Sequence, residues 1–233
     1  MSRTTLTAVV PALDEEATIG AVVVAAAAAC DEVVVVDNAS ADTTAAQATA
    51  AGARVVRELR RGYGAACLAG ALAADPAAVL LFLDGDGSDD PGALATVSRP
   101  VLADEADLVL GSRALGRRAP GSVLGHQMAA NRAMAAVVRS AWAAPITDLG
   151  PLRAIARADL LALRMRSRTY GWPLEMVVKA ARAGLRVVEV PVDARPRGGG
   201  SSKVSGTLSG TVRTAARFAE VLLRDGLGPR PGG

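Results

Sequence analysis

The chain has 233 residues, 51% of them hydrophobic and 21% charged, which suits one domain with a sizeable core and excludes an intrinsically disordered protein. A formal net charge of +3 is too small for a nucleic-acid-binding stripe, so no nucleic acid partner is expected. The apolar run from Ala21 to Ala29 is too short to span a bilayer, and Met1 leads directly into a strand-like run. A cytoplasmic location is therefore expected, at most peripheral at the inner membrane surface.

The elements alternate along the first half. Strands are predicted at Thr5 to Val10, Glu32 to Val36, Arg54 to Arg57, Val79 to Leu83 and Asp107 to Leu110. Helices are predicted between them at Glu15 to Ala29, Thr43 to Ala51, Gly64 to Ala74 and Pro91 to Leu102, the last opening on a proline in its first turn. Near-continuous apolar strands separated by helices imply an α/β fold with a mostly parallel sheet covered on both faces. The second half is less regular. A glycine- and arginine-rich loop runs from Leu115 to Gly125, followed by a helix from Gln127 to Trp142, a strand at Leu152 to Ile155 and a short helix at Arg157 to Leu163. A helix at Pro173 to Ala183 and a strand at Arg186 to Val190 precede a flexible loop from Arg197 to Ser202. A terminal helix is expected over Ser205 to Leu223, with one face free to dock on the sheet or touch a membrane surface. Residues 1–225 read as a single domain and 226–233 as a flexible tail. Cys30 and Cys67 lack metal-ligand spacing and read as free thiols, while His126, Trp142 and Trp172 carry no catalytic signal.

Ligands of an open parallel sheet bind beyond the carboxyl ends of its strands. There the chain places Asp14-Glu15-Glu16 after the first strand, Asp37-Asn38 after the second and Gly111-Ser112-Arg113 after the fifth. After the fourth comes Asp84-Gly85-Asp86-Gly87-Ser88-Asp89-Asp90. Asp84 and Asp86, two residues apart at a glycine-rich strand exit, can turn toward one hard cation such as Mg2+ or Mn2+. The plain alternative is a solvated acidic turn, with Asp90 capping the helix that begins at Pro91. Neither a dinucleotide-binding glycine fingerprint nor a P-loop occurs. Arg195, Arg197 and Lys203 cluster near glycines, as a phosphate site requires, or form a solvated basic tail.

The ordered set Val9-Val10-Pro11-Ala12-Leu13-Asp14-Glu15, Val35-Val36-Asp37-Asn38-Ala39-Ser40, Gly62-Tyr63-Gly64-Ala65, Asp84-Gly85-Asp86 and Gly111-Ser112-Arg113 resembles family 2 glycosyltransferases of the GT-A fold. The later segments Asp148-Leu149-Gly150-Pro151-Leu152-Arg153, Leu174-Glu175-Met176 and Val190-Pro191-Val192 onward to Lys203 are similar to the dolichyl- or polyprenyl-phosphate mannose or glucose synthase branch. The resemblance implies a Rossmann-like mostly parallel sheet and a nucleotide-sugar pocket lined by Pro11, Leu13, Asp14, Glu15, Asp37, Asn38, Gly64, Asp84, Gly85 and Arg113. It further implies a metal at Asp84 and Asp86, catalytic roles for Asp148, Arg153 and Glu175, and an acceptor-phosphate grip of Arg195, Arg197, Ser202 and Lys203. The expected donor is of the GDP-mannose or UDP-glucose type. Leu13 and Asp14 stand where the family often has tyrosine and asparagine, Ser88 replaces a glutamine that helps hold metal, and Pro173 replaces another glutamine.

The implied reaction is inverting hexose transfer from the nucleotide-diphosphate sugar. An alcohol acceptor would need a base such as Asp148 or Glu175, whereas a phosphate acceptor is already ionised and needs cations to orient it. The basic segment from Arg195 to Lys203 fits a phosphate-bearing acceptor of the polyprenyl phosphate kind. A soluble alcohol acceptor, a metal-dependent nucleotidyltransferase or phosphohydrolase, and a non-catalytic sugar-nucleotide binder stay open at this point.

Overall fold

The computed structural model describes residues 4–117, 119, 125–142, 144–199 and 218–226, and for 125–130 the backbone alone. Seven strands are β1 (Leu6–Ala12), β2 (Glu32–Asp37), β3 (Arg54–Arg57), β4 (Val79–Phe82), β5 (Leu108–Ser112), β6 (Arg153–Ala156) and β7 (Val187–Pro191). They form one sheet in the order β3-β2-β1-β4-β6-β5-β7. Helices accompany it among the described residues: α1 (Ile19–Ala27), α2 (Thr44–Ala50), α3 (Tyr63–Ala73), α4 (Leu94–Leu102), α5 (Gly125–Trp142), α6 (Arg157–Ala162) and α7 (Trp172–Arg182).

Strand alternation divides two cores. Val9, Val34, Val36, Leu80 and Phe82 face a cluster that also holds Trp172 and Met176. Their neighbours Ala8, Val10, Val33, Val35 and Leu81 face a second cluster built on Ile19, Val23, Leu94 and Val97. With so few aromatics, density comes from small residues at close approach. Gly70 of α3 lies directly on β1 and β2, where a Cβ would collide with Val9 and press on Val36.

The sheet is parallel except at β6, which runs antiparallel to both β4 and β5. The chain leaves β5 at the carboxyl rim, passes through α5, and returns to the same rim before β6 runs back down. Arg153, the first residue of β6, therefore pairs with Phe82, the last residue of β4. This reversal carries residues 148–153 to the rim.

Two further differences from the sequence reading have local causes. The first helix begins at Ile19 rather than Glu15, because Asp14 takes a left-handed backbone (φ 49°) and residues 14–16 bond to the 40–44 loop. The fourth begins with a 3-10 turn at Pro91–Ala93, capped as expected by Asp90, whose carboxylate accepts the Gly92 N–H at 3.2 Å. Of the predicted terminal helix, residues 218–221 are helical and Leu222–Gly226 form a π-helical turn, with Phe218, Val221 and Leu222 packed on the first core. The remainder of that helix, and the tail beyond 226, lie outside the described residues.

Gly70→Ala should lower the unfolding free energy by about 1–3 kcal/mol, the usual cost of forcing volume into a packed core, read from the midpoint shift in urea denaturation.

Candidate active site

The loops after β1 and β2 are knitted into one ledge. The Asp14 N–H donates to Ser40 Oγ at 3.0 Å, the Ala41 N–H to Asp14 Oδ1 at 2.7 Å, and the Ser40 N–H to Asp37 Oδ1 at 3.0 Å. Left-handed backbone at Asp14 and Ala39 (φ 63°) makes these crossings possible. Asp37 is buried at the strand end, while Pro11 and Leu13 are half-buried beside it. Glu15 faces away from α1 and its carboxylate reaches Arg197.

Two residues expected in the nucleotide-sugar pocket have other work. The Asn38 side chain donates to the carbonyls of Glu58 and Arg60, both at 2.9 Å, and accepts the Gly62 N–H at 2.7 Å. Its amide group thus ties down the loop before α3. Gly64 is small because a Cβ there would strike the Ser167 carbonyl. Gly85, by contrast, sits under the rim against Ala12 and Ile19, and its carbonyl accepts Thr18 Oγ1 at 2.8 Å.

The acidic loop between them is folded on its own carboxylates. Asp89 Oδ2 accepts the Asp84 N–H at 2.9 Å, and Asp86 Oδ1 accepts the Ser88 N–H at 2.9 Å, with Gly87 at positive φ. Burial, then repulsion from Asp89 and Asp86, pushes the Asp84 carboxyl well above the usual range; Arg113 and a hydrogen bond from Tyr63 act against this. Burial likewise pushes Asp89 up to about 6. The loop is an acidic pocket in which the Asp84 and Asp89 carboxyls are held above their ordinary values. The motif carries no expected role for Tyr63; its place as the first residue of α3, between Gly62 and Gly64, is the signal that marks it.

Asp148 holds the other wall. Its Oδ2 accepts the Arg113 N–H at 3.2 Å and Arg113 Nε at 3.1 Å, and its Oδ1 accepts Asn131 Nδ2 at 2.9 Å and the Leu149 N–H at 2.8 Å. Burial acts to raise this carboxyl, but Arg113 and the Leu149 N–H outweigh it and hold Asp148 below its ordinary 3.8. Glu189 of β7 braces the same turn by accepting the N–H groups of Thr147 (2.8 Å) and Asp148 (3.0 Å). Asn131 and Glu189 carry no sequence signal, because their partners are 17 and 41 residues away.

The geometry also recasts the other two expected catalytic residues. Arg153 is 1% exposed and donates to the carbonyls of Gly150, Pro151 and Pro173, so it fixes the turn into β6 from below. Glu175 is fully buried; its oxygens accept the N–H groups of Arg166 (2.8 Å) and Ser167 (2.6 Å) and pair with Lys179 and Arg224. Glu175 therefore braces residues 166–167 and the 224–225 turn from inside the fold. The thiols are inert as well: Cys30 and Cys67 are free, and burial raises both, Cys30 to about 12.

The basic segment arrives opposite the acidic loop. Arg195 Nη2 lies 2.6 Å from Asp90 Oδ1, and Arg197 Nη1 lies 2.6 Å from Asp86 Oδ2. Ser202 and Lys203 lie outside the described residues. Asp14, Glu15, Asp37, Asp84, Asp86, Arg113 and Asp148 thus share one rim with Arg195 and Arg197.

The sequence profile of "Glycosyl transferase family 2" matches residues 7–144. An uncharacterized glycosyltransferase of Mycobacterium tuberculosis is 40% identical over 225 residues, covering 95% of this chain and 100% of that one. An undecaprenyl-phosphate mannosyltransferase of Micrococcus luteus is 33% identical over 163 residues, 66% of this chain and 65% of that protein. Among solved structures, glucosyl-3-phosphoglycerate synthase from Mycobacterium tuberculosis in complex with phosphoglyceric acid superposes with a TM-score of 0.77 at 25% identity, covering 97% of this chain and 81% of that one. The same synthase with Mn2+, uridine diphosphate and phosphoglyceric acid gives 0.79 at 24% identity, with 98% and 81% covered.

Asp148→Asn leaves one acceptor oxygen where several donors converge. It should cost about 1.5–3 kcal/mol at pH 7, the range for hydrogen bonds to a charged group. Because the folded carboxyl is held below 3.8, its contribution is complete above that value and lost as pH falls beneath it. Urea denaturation at pH 7 and at pH 3 should show the gap between the two proteins narrowing on acidification.

Proposed function

Because the chain belongs to glycosyltransferase family 2, we propose that it transfers a hexose, with inversion, from a nucleotide-diphosphate sugar to a phosphate-bearing acceptor, using Mg2+ or Mn2+ at Asp84 and Asp86. One observation carries this reading. At the rim of the sheet, Asp86 already draws a cation to 2.6 Å beside an Asp84 whose charge is disfavoured by its acidic neighbours. Among the described residues no three His, Cys, Asp or Glu side chains are grouped to hold a metal by themselves. That donor set fits a hard ion which takes one or two carboxylates and completes its shell with water and substrate phosphates.

When bound, the ion supplies Lewis-acid neutralisation of the leaving nucleoside diphosphate. The chain's own residues do the rest. Asp37 and Asp14 accept from the nucleoside, on the ledge after β1 and β2. Arg113, clamped by Asp148, holds fixed positive charge toward the diphosphate, where preorganised charge is most effective. Tyr63 orients Asp84. Neither Asp148 nor Glu175 is available as a base, since their oxygens are occupied by N–H donors and cations. A nucleophile that arrives ionised needs no base, which favours a phosphate oxygen over an alcohol. Arg195 and Arg197 are the cations that receive it, together with Ser202 and Lys203.

The named activity of the Micrococcus luteus relative supports a polyprenyl phosphate as acceptor. Such a lipid would bring the chain to the inner face of a membrane peripherally, as one catalytic domain over residues 1–225. No helix among the described residues is long and apolar enough to cross a bilayer. A soluble phosphate-bearing acceptor is the second reading, favoured by the superposition on a synthase solved with phosphoglyceric acid.

Asp86→Asn and Asp84→Asn should each lower kcat/KM by at least about 100-fold, with chelation abolishing nucleoside-diphosphate release and Mn2+ restoring it; a metal-indifferent wild type would refute the assignment. Incubation with UDP-glucose or GDP-mannose and either undecaprenyl phosphate or 3-phosphoglycerate should yield product with the lipid, and Arg195→Ala should raise the acceptor KM several-fold. Product with phosphoglycerate alone selects the second reading.

A further inference from the structure

Residues 194–199 form a strap across the acidic loop. Asp89 and Ala194 make an antiparallel bridge, the Arg195 N–H donates to the Ser88 carbonyl at 3.2 Å, and the Gly198 N–H donates to the Asp86 carbonyl at 3.0 Å. Gly198 lies so close to α1 that a Cβ would press on Thr18 Cγ2 at 3.0 Å. From this strap the Arg197 guanidinium enters the site, with Nη1 2.6 Å from Asp86 Oδ2 and Nη2 3.0 Å from Glu15 Oε1.

Two features of this contact do not suit a permanent ion pair. The guanidinium blocks the carboxylate assigned to the divalent ion, and with the strap in place the Asp86 side chain is only 7% exposed. The Arg197 Nε atom is buried and has no hydrogen-bond acceptor among the described residues. A guanidinium is a fork of five donors suited to the oxygens of a phosphate, and here one of them meets no acceptor among the described residues. A buried donor without a partner is a cost the folded chain carries until that partner arrives.

We propose that Arg197 is a placeholder cation that competes with the divalent ion at Asp86. It neutralises Asp86 and Glu15 before the donor binds, gives up Asp86 when a divalent ion is to be held there, and then turns its freed donors, Nε among them, to the acceptor phosphate. The inference rests on the metal and phosphate roles proposed above. Its physical basis is competition: a guanidinium 2.6 Å from Asp86 Oδ2 occupies the approach to that oxygen and repels a second cation there, so Arg197 weakens metal binding until it moves aside.

The test is a titration of the full chain with Mn2+ alone, following the free-ion electron paramagnetic resonance signal. Arg197→Gln should bind Mn2+ about tenfold more tightly than the wild type, a difference of roughly 1.4 kcal/mol, because its competitor is gone. Steady-state kinetics should split, with donor KM falling and acceptor KM rising. A merely structural role would move both in the same direction. Arg197→Met, which keeps the apolar stem, repeats the measurement should the glutamine variant fail to fold. Equal or weaker Mn2+ binding by the variants overturns the placeholder and leaves the metal assignment standing. Absence of Mn2+ binding by wild type and variants alike overturns both.

Discussion

The site is organised by an unbalanced charge. Asp84, Asp86 and Asp89 are drawn into one half-buried loop, where burial and the neighbouring carboxylates make ionisation of Asp84 and Asp89 costly. Everything opposite the loop is cationic: Arg113 on the wall, Arg153 beneath, and Arg197 reaching in from the strap. Low local polarity strengthens each of these attractions and equally strengthens the penalty for leaving one unmet. A loop built this way is receptive to added positive charge, which is the property a diphosphate-bridging ion requires.

Around that loop, polar side chains hold backbone rather than substrate. Asn38 gathers the chain between β3 and α3, Asp148 and Glu189 gather the turn before β6, and Glu175 gathers residues 166–167. These loops have little regular structure of their own, so their N–H groups must find acceptors elsewhere. The precision of Asp84 and Arg113 is inherited from these supports, much as a bound ligand is held by residues that never touch it.

The fold was largely legible because several strands are continuous apolar runs, such as Val33–Val36 and Val79–Phe82, and α2 and α7 stop just before Gly52 and Gly184. The rim aspartates were legible for the related reason that a parallel sheet concentrates its chemistry at one edge. What escaped is long-range. Asn38, Asp148 and Glu175 are polar residues at promising places, and a sequence shows polarity without showing whether a neighbouring backbone has already claimed it. The start of α1 was read three or four residues early because Glu15 and Glu16 look like first-turn acids, whereas they bond across to the 40–44 loop. The reversed strand was unreadable, since Arg153–Ala156 has the same apolar character whichever way it runs. Thr18, Asn131 and Glu189 gave no warning at all; each matters only through a partner brought near by folding.

The reversed strand divides the molecule's capacity to vary. From β3 to β4 every strand is parallel and consecutive helices return the chain, so the ledge and the acidic loop are set by the core spacing itself. From β6 to β7 the rim is furnished by two long excursions, one between β5 and β6 and one after β7. Lineages that lengthened, shortened or recomposed those excursions would meet new acceptors while keeping an unaltered way of activating the sugar. A single reversal of direction thus turns one half of the sheet into an inherited engine and the other into an interchangeable fitting.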